Sequence, residues 1–262
     1  MTKLKRDGVF WTACLQGTIL NFFLGGFGPA QPLLRQEQGT SLTVAGLHGT
    51  MMGIAAMIAG IIHPTLVHKI GRPKTSWIGL LIFTTGVPVF VLGGSISFTL
   101  PAILYSCIGF NFVILNMIST LSSHYPETPD LAASQSNAIN AVGYVIGTVM
   151  VGTFAKVGIS WRLALLLVIP AAIALYFYGR DKIEDNRDLS APKQSGKLGV
   201  PFWIALVGFF ATISSEFATA FWAATLVTDR TGADAAISTL CIAALGTGFG
   251  IGRWFKIGRA HV

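Results

Sequence analysis

Of the eleven acidic residues in this chain, Glu216 alone stands inside a long apolar run. Holding a carboxylate at bilayer depth costs a few kcal/mol, so such residues are rare and usually have a task. A carboxyl that binds and releases a proton is the sharpest reading; a hydrogen-bond acceptor for substrate, or a structural partner for an amide or arginine, are the alternatives. Arg253 is the second charge placed in an apolar stretch. Amides punctuate other runs: Gln16, Asn21 and Gln31 in the first, Asn111 and Asn116 in the fourth. In the fifth, Asn137, Asn140 and Tyr144 recur at i, i+3, i+7 and so share one helix face. Amides in lipid need partners, which either interhelical bonds or a hydrated substrate cavity supply. Glu216, Asn21, Asn111, Asn140, Tyr144 and Arg253 are therefore the candidate substrate and coupling residues. His48 is expected to bond a neighbour, and His63 to lie near the membrane surface. Cys14, Cys107 and Cys241 lack paired or metal-ligand spacing, so no disulfide framework, metal site or cofactor is expected.

These residues need elements to hold them, and composition names the kind. The chain of 262 residues is 52% hydrophobic and 11% charged, with a mean hydropathy of +0.65. A soluble domain carries roughly a quarter of its residues as charges; a lipid-facing surface needs none. A helix crosses the hydrocarbon in about 20 residues, and eight apolar segments approach or exceed that length. They run over 9–34, 42–67, 76–93, 98–122, 131–157, 160–178 and 201–227, with an eighth starting near 235. Turn residues separate them, as at Gly71-Arg72-Pro73 and Pro126-Glu127-Thr128-Pro129. The first run is too long for a signal-peptide core and no small-residue cleavage site closes it, which predicts an uncleaved first span.

Basic residues orient the spans. With the N-terminus inside, the inner segments hold Lys3, Lys5, Arg6, Lys69, Arg72, Lys74, Arg180, Lys182, Arg187, Lys193 and Lys197. The outer segments hold only Arg35, Lys156, Arg162 and Arg230. That asymmetry predicts a cytoplasmic N-terminus in a plasma (inner) membrane. The net charge of +7 is thus a topology signal and gives no reason to expect nucleic acid. Trp11, Trp77, Trp161 and Trp203 open predicted helices at headgroup level.

The domain layout follows: a six-helix bundle over 1–178, a charged linker over 179–200, and the start of a second bundle over 201–255. A shift of 195 residues places Arg35 over Arg230, Phe22 over Phe217, Gly53 over Gly248 and Asn21 over Glu216. This is the trace expected of a duplicated transporter fold. The eighth span should run past residue 260 by that offset. The tail over 256–262 can be encoded by AAG ATC GGA AGA GCA CAC GTC, a string resembling a common sequencing adapter, and is expected to be non-native.

At the loop between the second and third spans the chain resembles the major facilitator superfamily, whose pattern there is Gly-x-x-x-Asp-Arg-x-Gly-Arg-Arg. Leu66, Lys69, Gly71, Arg72 and Lys74 fit it, while Pro64 replaces the glycine and His68 the aspartate. Softer matches are Pro29-Ala30-Gln31-Pro32, Gly158-Ile159-Ser160-Trp161-Arg162 and Gly250-Ile251-Gly252-Arg253. Glu216 with Trp222 resembles the fucose-permease-like and sugar- or drug-efflux-like branches. In the fifth span, Gly143, Gly147 and Gly152 fit a family glycine motif whose proline is Thr148 here. Close helix packing is the plainer account of those glycines, and of the stripe Gly46, Gly49, Gly53, Gly60.

The resemblance implies an all-α membrane bundle, with eight of an expected twelve transmembrane helices present, and a gating role for Lys69, Gly71, Arg72 and Lys74. It implies secondary active transport of a small organic solute, coupled to protons, by alternating access, with solute, proton and lipid bilayer as partners. The parent protein would transport; this chain alone would not. A uniporter or drug-efflux antiporter of the same fold is the alternative. A non-transporting scaffold or membrane enzyme is a distant one, since no phosphate-cradling loop, zinc spacing or intramembrane acid pair is present.

Overall fold

The computed structural model describes residues 4–183 and 198–259, and among these every regular element is an α-helix. The elements are α1 (Gly8–Gln38), α2 (Leu42–Ile70), α3 (Arg72–Leu92), α4 (Ile96–His124), α5 (Pro129–Lys156), α6 (Trp161–Leu166), α7 (Val168–Gly179), α8 (Val200–Thr231) and α9 (Ala235–Arg259). Seven spans are long and apolar enough to cross a membrane, counting Trp161–Gly179 as one, and α9 carries a shorter apolar stretch over Ile237–Gly252. Most of the expected linker lies outside the described residues. So do the last three residues of the expected tail.

Apolar length sets where the helices are; local chemistry sets where they stop. Asp7 caps α1, its Oδ1 accepting the Phe10 N–H at 3.0 Å, which offsets one of the orphan donors at a helix start. The helix ends at Gly39, whose φ of 62° gives a left-handed cap. That cap carries α1 through Gln38, four residues past the expected end. The predicted sixth span is broken at Leu167. Pro170 has no N–H for the Leu166 carbonyl, and the chain there tightens, with Leu167 N–H donating to Ala164 O at 3.3 Å.

Backbones meet where glycine permits. α1 packs along α5, α3 along α4, and α5 along α9. A Cβ on Gly147 would stand 2.0 Å from Phe22 O, and one on Gly25 would stand 2.1 Å from Tyr144 O. Both lie below any real Cβ contact, so the α1–α5 crossing excludes side chains there. The core beside it is aromatic. Phe23, Phe27, Phe83 and Phe90 are fully buried, and Phe23 meets Phe83 edge-on at 5.2 Å.

Thr148, which replaces a proline of the family motif, serves the same crossing. Pro29 cannot donate to Gly25 O four residues earlier. The Thr148 hydroxyl lies 2.8 Å from that carbonyl and 3.0 Å from Tyr144 O, so a hydroxyl on α5 supplies the donor that α1 lacks.

Candidate functional site

The site lies where α8 and α9 meet α1 and α5. Gly28 on α1 lets α8 approach: a Cβ there would stand 2.4 Å from Ala220 O. Gly246 on α9 fits against the Tyr144 ring in the same way, at 2.6 Å from Cδ1. Between these contacts sits a cavity of about 40 Å³ lined by Asn21, Leu24, Ala141, Tyr144, Glu216, Phe217, Ala220 and Gly246. One buried water needs roughly 10–15 Å³ by this measure, so the space suits two or three waters.

Four helices thus bring Asn21, Tyr144 and Glu216 to one wall. The two residues that a 195-residue shift superimposes, Asn21 and Glu216, both line it. Asn21 donates one amide hydrogen to Gly17 O at 2.9 Å. Tyr144 is buried, and its hydroxyl has no hydrogen-bond partner among the described residues. An unpartnered phenol, an amide with spare capacity and a carboxyl around a water-sized space can pass or hold a proton and bond a polar ligand.

Other expected residues sit elsewhere. Asn140 is turned from the cavity into the α1–α4–α5 seam: Thr18 Oγ1 donates to its Oδ1 at 3.3 Å, and its Nδ2 reaches Met117 Sδ at 3.7 Å. Asn111 does not line the cavity and donates to Cys107 O at 2.7 Å. Arg253 belongs to α9, but its side chain lies outside the described ones. His48 is buried, with ring nitrogens 3.0 Å from Ala45 O and 2.8 Å from Thr99 Oγ1. It bonds its neighbours. His63 lies beside Phe112, ring centroids 6.1 Å apart.

The basic turn is one residue long. Gly71 alone joins α2 to α3 at φ 85°, ψ 161°, a conformation that L side chains rarely adopt. Its carbonyl accepts from Thr75 Oγ1 at 2.8 Å. Arg72 reaches across to α4, donating to Ser123 Oγ at 3.3 Å, while Lys69 and Lys74 are exposed.

Two polar clusters at the helix ends are legible only in three dimensions. On the N-terminal side, His124 Nε2 lies 2.7 Å from Asp7 Oδ2, and the Tyr125 hydroxyl is 3.1 Å from Asp7 Oδ1 and 2.8 Å from Lys5 O. Burial alone would raise the Asp7 carboxyl, but the His124 bond, the Phe10 N–H, the His124 charge and Tyr125 together hold it below its usual value. Burial, followed by the Asp7 charge, pushes the Tyr125 phenol up to about 12. On the opposite side, Trp161 Nε1 donates to Glu37 Oε1 at 2.9 Å and Arg162 pairs with Glu37 Oε2. These contacts join residues more than a hundred positions apart, and no motif announces them.

Seven helices long and apolar enough to cross a membrane mark a multi-pass helical membrane protein. A family model described as the Major Facilitator Superfamily matches residues 3–260, and the chain belongs to that superfamily. A solved structure described as the crystal structure of tetrameric PepTSo2 aligns with a TM-score of 0.57 at 14% identity, covering 92% of this chain and 50% of that one. The likeness is one of fold. The chain spans about half the length of that relative. No curated protein matches the sequence.

Proposed function

We propose that this chain is the first bundle and the opening two helices of the second in a secondary carrier for a small organic solute, driven by a proton gradient through Glu216. The observation that carries the reading is the meeting of Glu216 with Asn21 and Tyr144 on one cavity where α8 and α9 join α1 and α5. Glu216 takes a proton when the cavity faces the acidic side and yields it on the other. Asn21 and Tyr144 bond the solute, or water in its absence. At about 40 Å³ the space has room for water only, and an organic solute enters as the halves part. Rocking of two bundles around a shared site is the alternating-access scheme of duplicated transporters.

The domain reading has the same support. α8 is exposed along most of its apolar length, including Phe209 at 66% and Phe210 at 72%, the surface that further helices of a second bundle would cover. The excess of Lys and Arg on the N-terminal side favours a cytoplasmic N-terminus, with Lys69, Gly71, Arg72 and Lys74 in the inner gating loop.

The test is solute flux in proteoliposomes containing the full-length parent protein, with an imposed pH gradient and a Glu216→Gln variant alongside. The gradient is expected to drive accumulation in the parent, and the variant to exchange solute without accumulating it. Accumulation by the variant equal to that of the parent removes Glu216 from coupling.

A further inference from the structure

A second concavity lies on the flank of the first bundle, remote from Glu216. It is a groove of about 460 Å³ between α3 and α7, walled by Trp77, Leu81, Thr84, Ile173, Tyr176 and Phe177, among others. Its surface asks for almost no hydrogen bonds. The Thr84 hydroxyl is already bonded to Leu80 O at 2.8 Å. Leu81, Ile173 and Phe177 stand 61%, 55% and 68% exposed, which is costly in water and neutral against hydrocarbon.

One end of the groove differs from the rest. Trp77 and Tyr176 meet edge-on there at 5.3 Å. The Trp77 indole Nε1 is buried and has no hydrogen-bond partner among the described residues. Trp77 is five residues into α3, or about 7.5 Å from its start at 1.5 Å per residue, a depth at which an indole sits at the membrane interface. Beyond it the surface turns basic. Lys74 lies one turn earlier on the same face and is exposed. The Arg180 guanidinium lies over the Phe177 ring at 6.0 Å, with its Nε donating to exposed Asp181 at 3.2 Å. Lys182 sits over the Tyr178 ring at 3.0 Å. Lys74, Arg180 and Lys182 outnumber the one carboxylate among them.

An apolar channel, an aromatic pair at interfacial depth and a cationic rim, in that order along two helices, match one molecule: a phospholipid. We propose that the groove between α3 and α7 binds one anionic phospholipid, an acyl chain between the helices, its glycerol against the Trp77–Tyr176 pair, and the phosphate at Lys74 and Arg180. The site belongs to the membrane leaflet on the chain's N-terminal side. It stands whether or not Glu216 couples transport.

Native mass spectrometry of the 262-residue chain in detergent tests this, with dioleoyl phosphatidylglycerol and dioleoyl phosphatidylcholine supplied in equal amounts. The expected result is one retained phosphatidylglycerol in preference to phosphatidylcholine. Each basic group near a membrane surface contributes roughly fivefold to binding of an anionic lipid. A Lys74→Gln/Arg180→Gln variant should therefore lose the preference by a factor on the order of 25. Ile173→Trp, which fills the groove from its exposed wall, should lower retention of both lipids. Glycerol phosphate should displace neither, because the chain and not the headgroup alone fills the site. Equal retention of the two lipids by the unsubstituted chain overturns the proposal without reference to any variant. So does an undiminished preference in the double variant, unchanged retention in Ile173→Trp, or displacement by glycerol phosphate.

Discussion

The Thr148–Gly25 contact can be removed almost isosterically, which makes it the sharpest test of how α1 and α5 hold together. Thr148→Val keeps the shape and deletes the hydroxyl that lies 2.8 Å from Gly25 O. That carbonyl cannot be rescued within its own helix, because Pro29 has no N–H to offer it. Interhelical hydrogen bonds in membranes average about 0.6 kcal/mol and reach about 1.7; an acceptor left bare in a buried site costs about 1–3 kcal/mol. The loss here should lie where those ranges overlap, at about 1–2 kcal/mol. At roughly 2–4 °C per kcal/mol for a chain of this size, the melting temperature should fall by several degrees. The Pro29→Ala background then decides the mechanism. That substitution restores a backbone N–H to face Gly25 O, so Thr148→Val should cost only a few tenths of a kcal/mol in it. Thermal unfolding of the four proteins of this cycle, followed by size-exclusion chromatography, reads the coupling. An equal loss from Thr148→Val in both backgrounds would refute the idea that Thr148 compensates for Pro29.

Four other outcomes follow from the geometry. Gly147→Ala must find about 1 Å between its Cβ and Phe22 O, against backbone that cannot yield, and should lose at least the roughly 1–3 kcal/mol typical of overpacking; Gly53→Ala, with nothing within 4 Å, should be neutral in the same melting assay. Gly71→Ala should cost about 1–3 kcal/mol because φ 85° with ψ 161° is a conformation essentially confined to glycine, and should loosen the α2–α3 turn to limited proteolysis. Asp7→Asn should weaken the α1 start, and the pH dependence has a definite sign. With its folded-state pKa depressed, the Asp7 carboxylate contributes in full above its unfolded value and is lost as pH falls through the folded one. The acid-side decline in melting temperature should therefore flatten in Asp7→Asn. Tyr125, raised to about 12, contributes in full below the ordinary tyrosine value and loses that contribution as pH rises through about 12, so Tyr125→Phe should remove a late step from the alkaline absorbance titration.

Much of the scaffold could be read from residue order, because crossing hydrocarbon imposes a length and a composition on each segment independently of its neighbours. Each of the eight expected spans is helical to within a few residues of its expected bounds, the sixth as two helices, α6 and α7. The break at Leu167 was also written locally, in Pro170, three residues further on. Glu216 stood out for a similar reason, since a lone carboxyl in an apolar run needs no partner to be conspicuous.

What a helix face meets is a different matter. Gly143 and Gly147 on α5 and Gly53 and Gly60 on α2 look alike in sequence, but the first pair is pressed against α1 and the second pair has nothing within 4 Å. Asn140 and Tyr144 lie one turn apart on the same face, yet Asn140 is drawn into the α1–α4 seam while Tyr144 reaches the cavity. The bonds of Thr148 to α1, Glu37 to α6 and Asp7 to the end of α4 join positions over a hundred residues apart. Residue order alone is enough to make this a bundle of membrane-spanning helices with one acid held in an apolar run, because lipid tests each helix separately for its backbone bonds and its apolar length. Which glycines touch, which amides are consumed as bonds between helices, and which three polar groups share a cavity were settled by the packing of the bundle. Those outcomes depend on how two helices are rotated and offset against each other, and periodicity within one helix does not specify its neighbour.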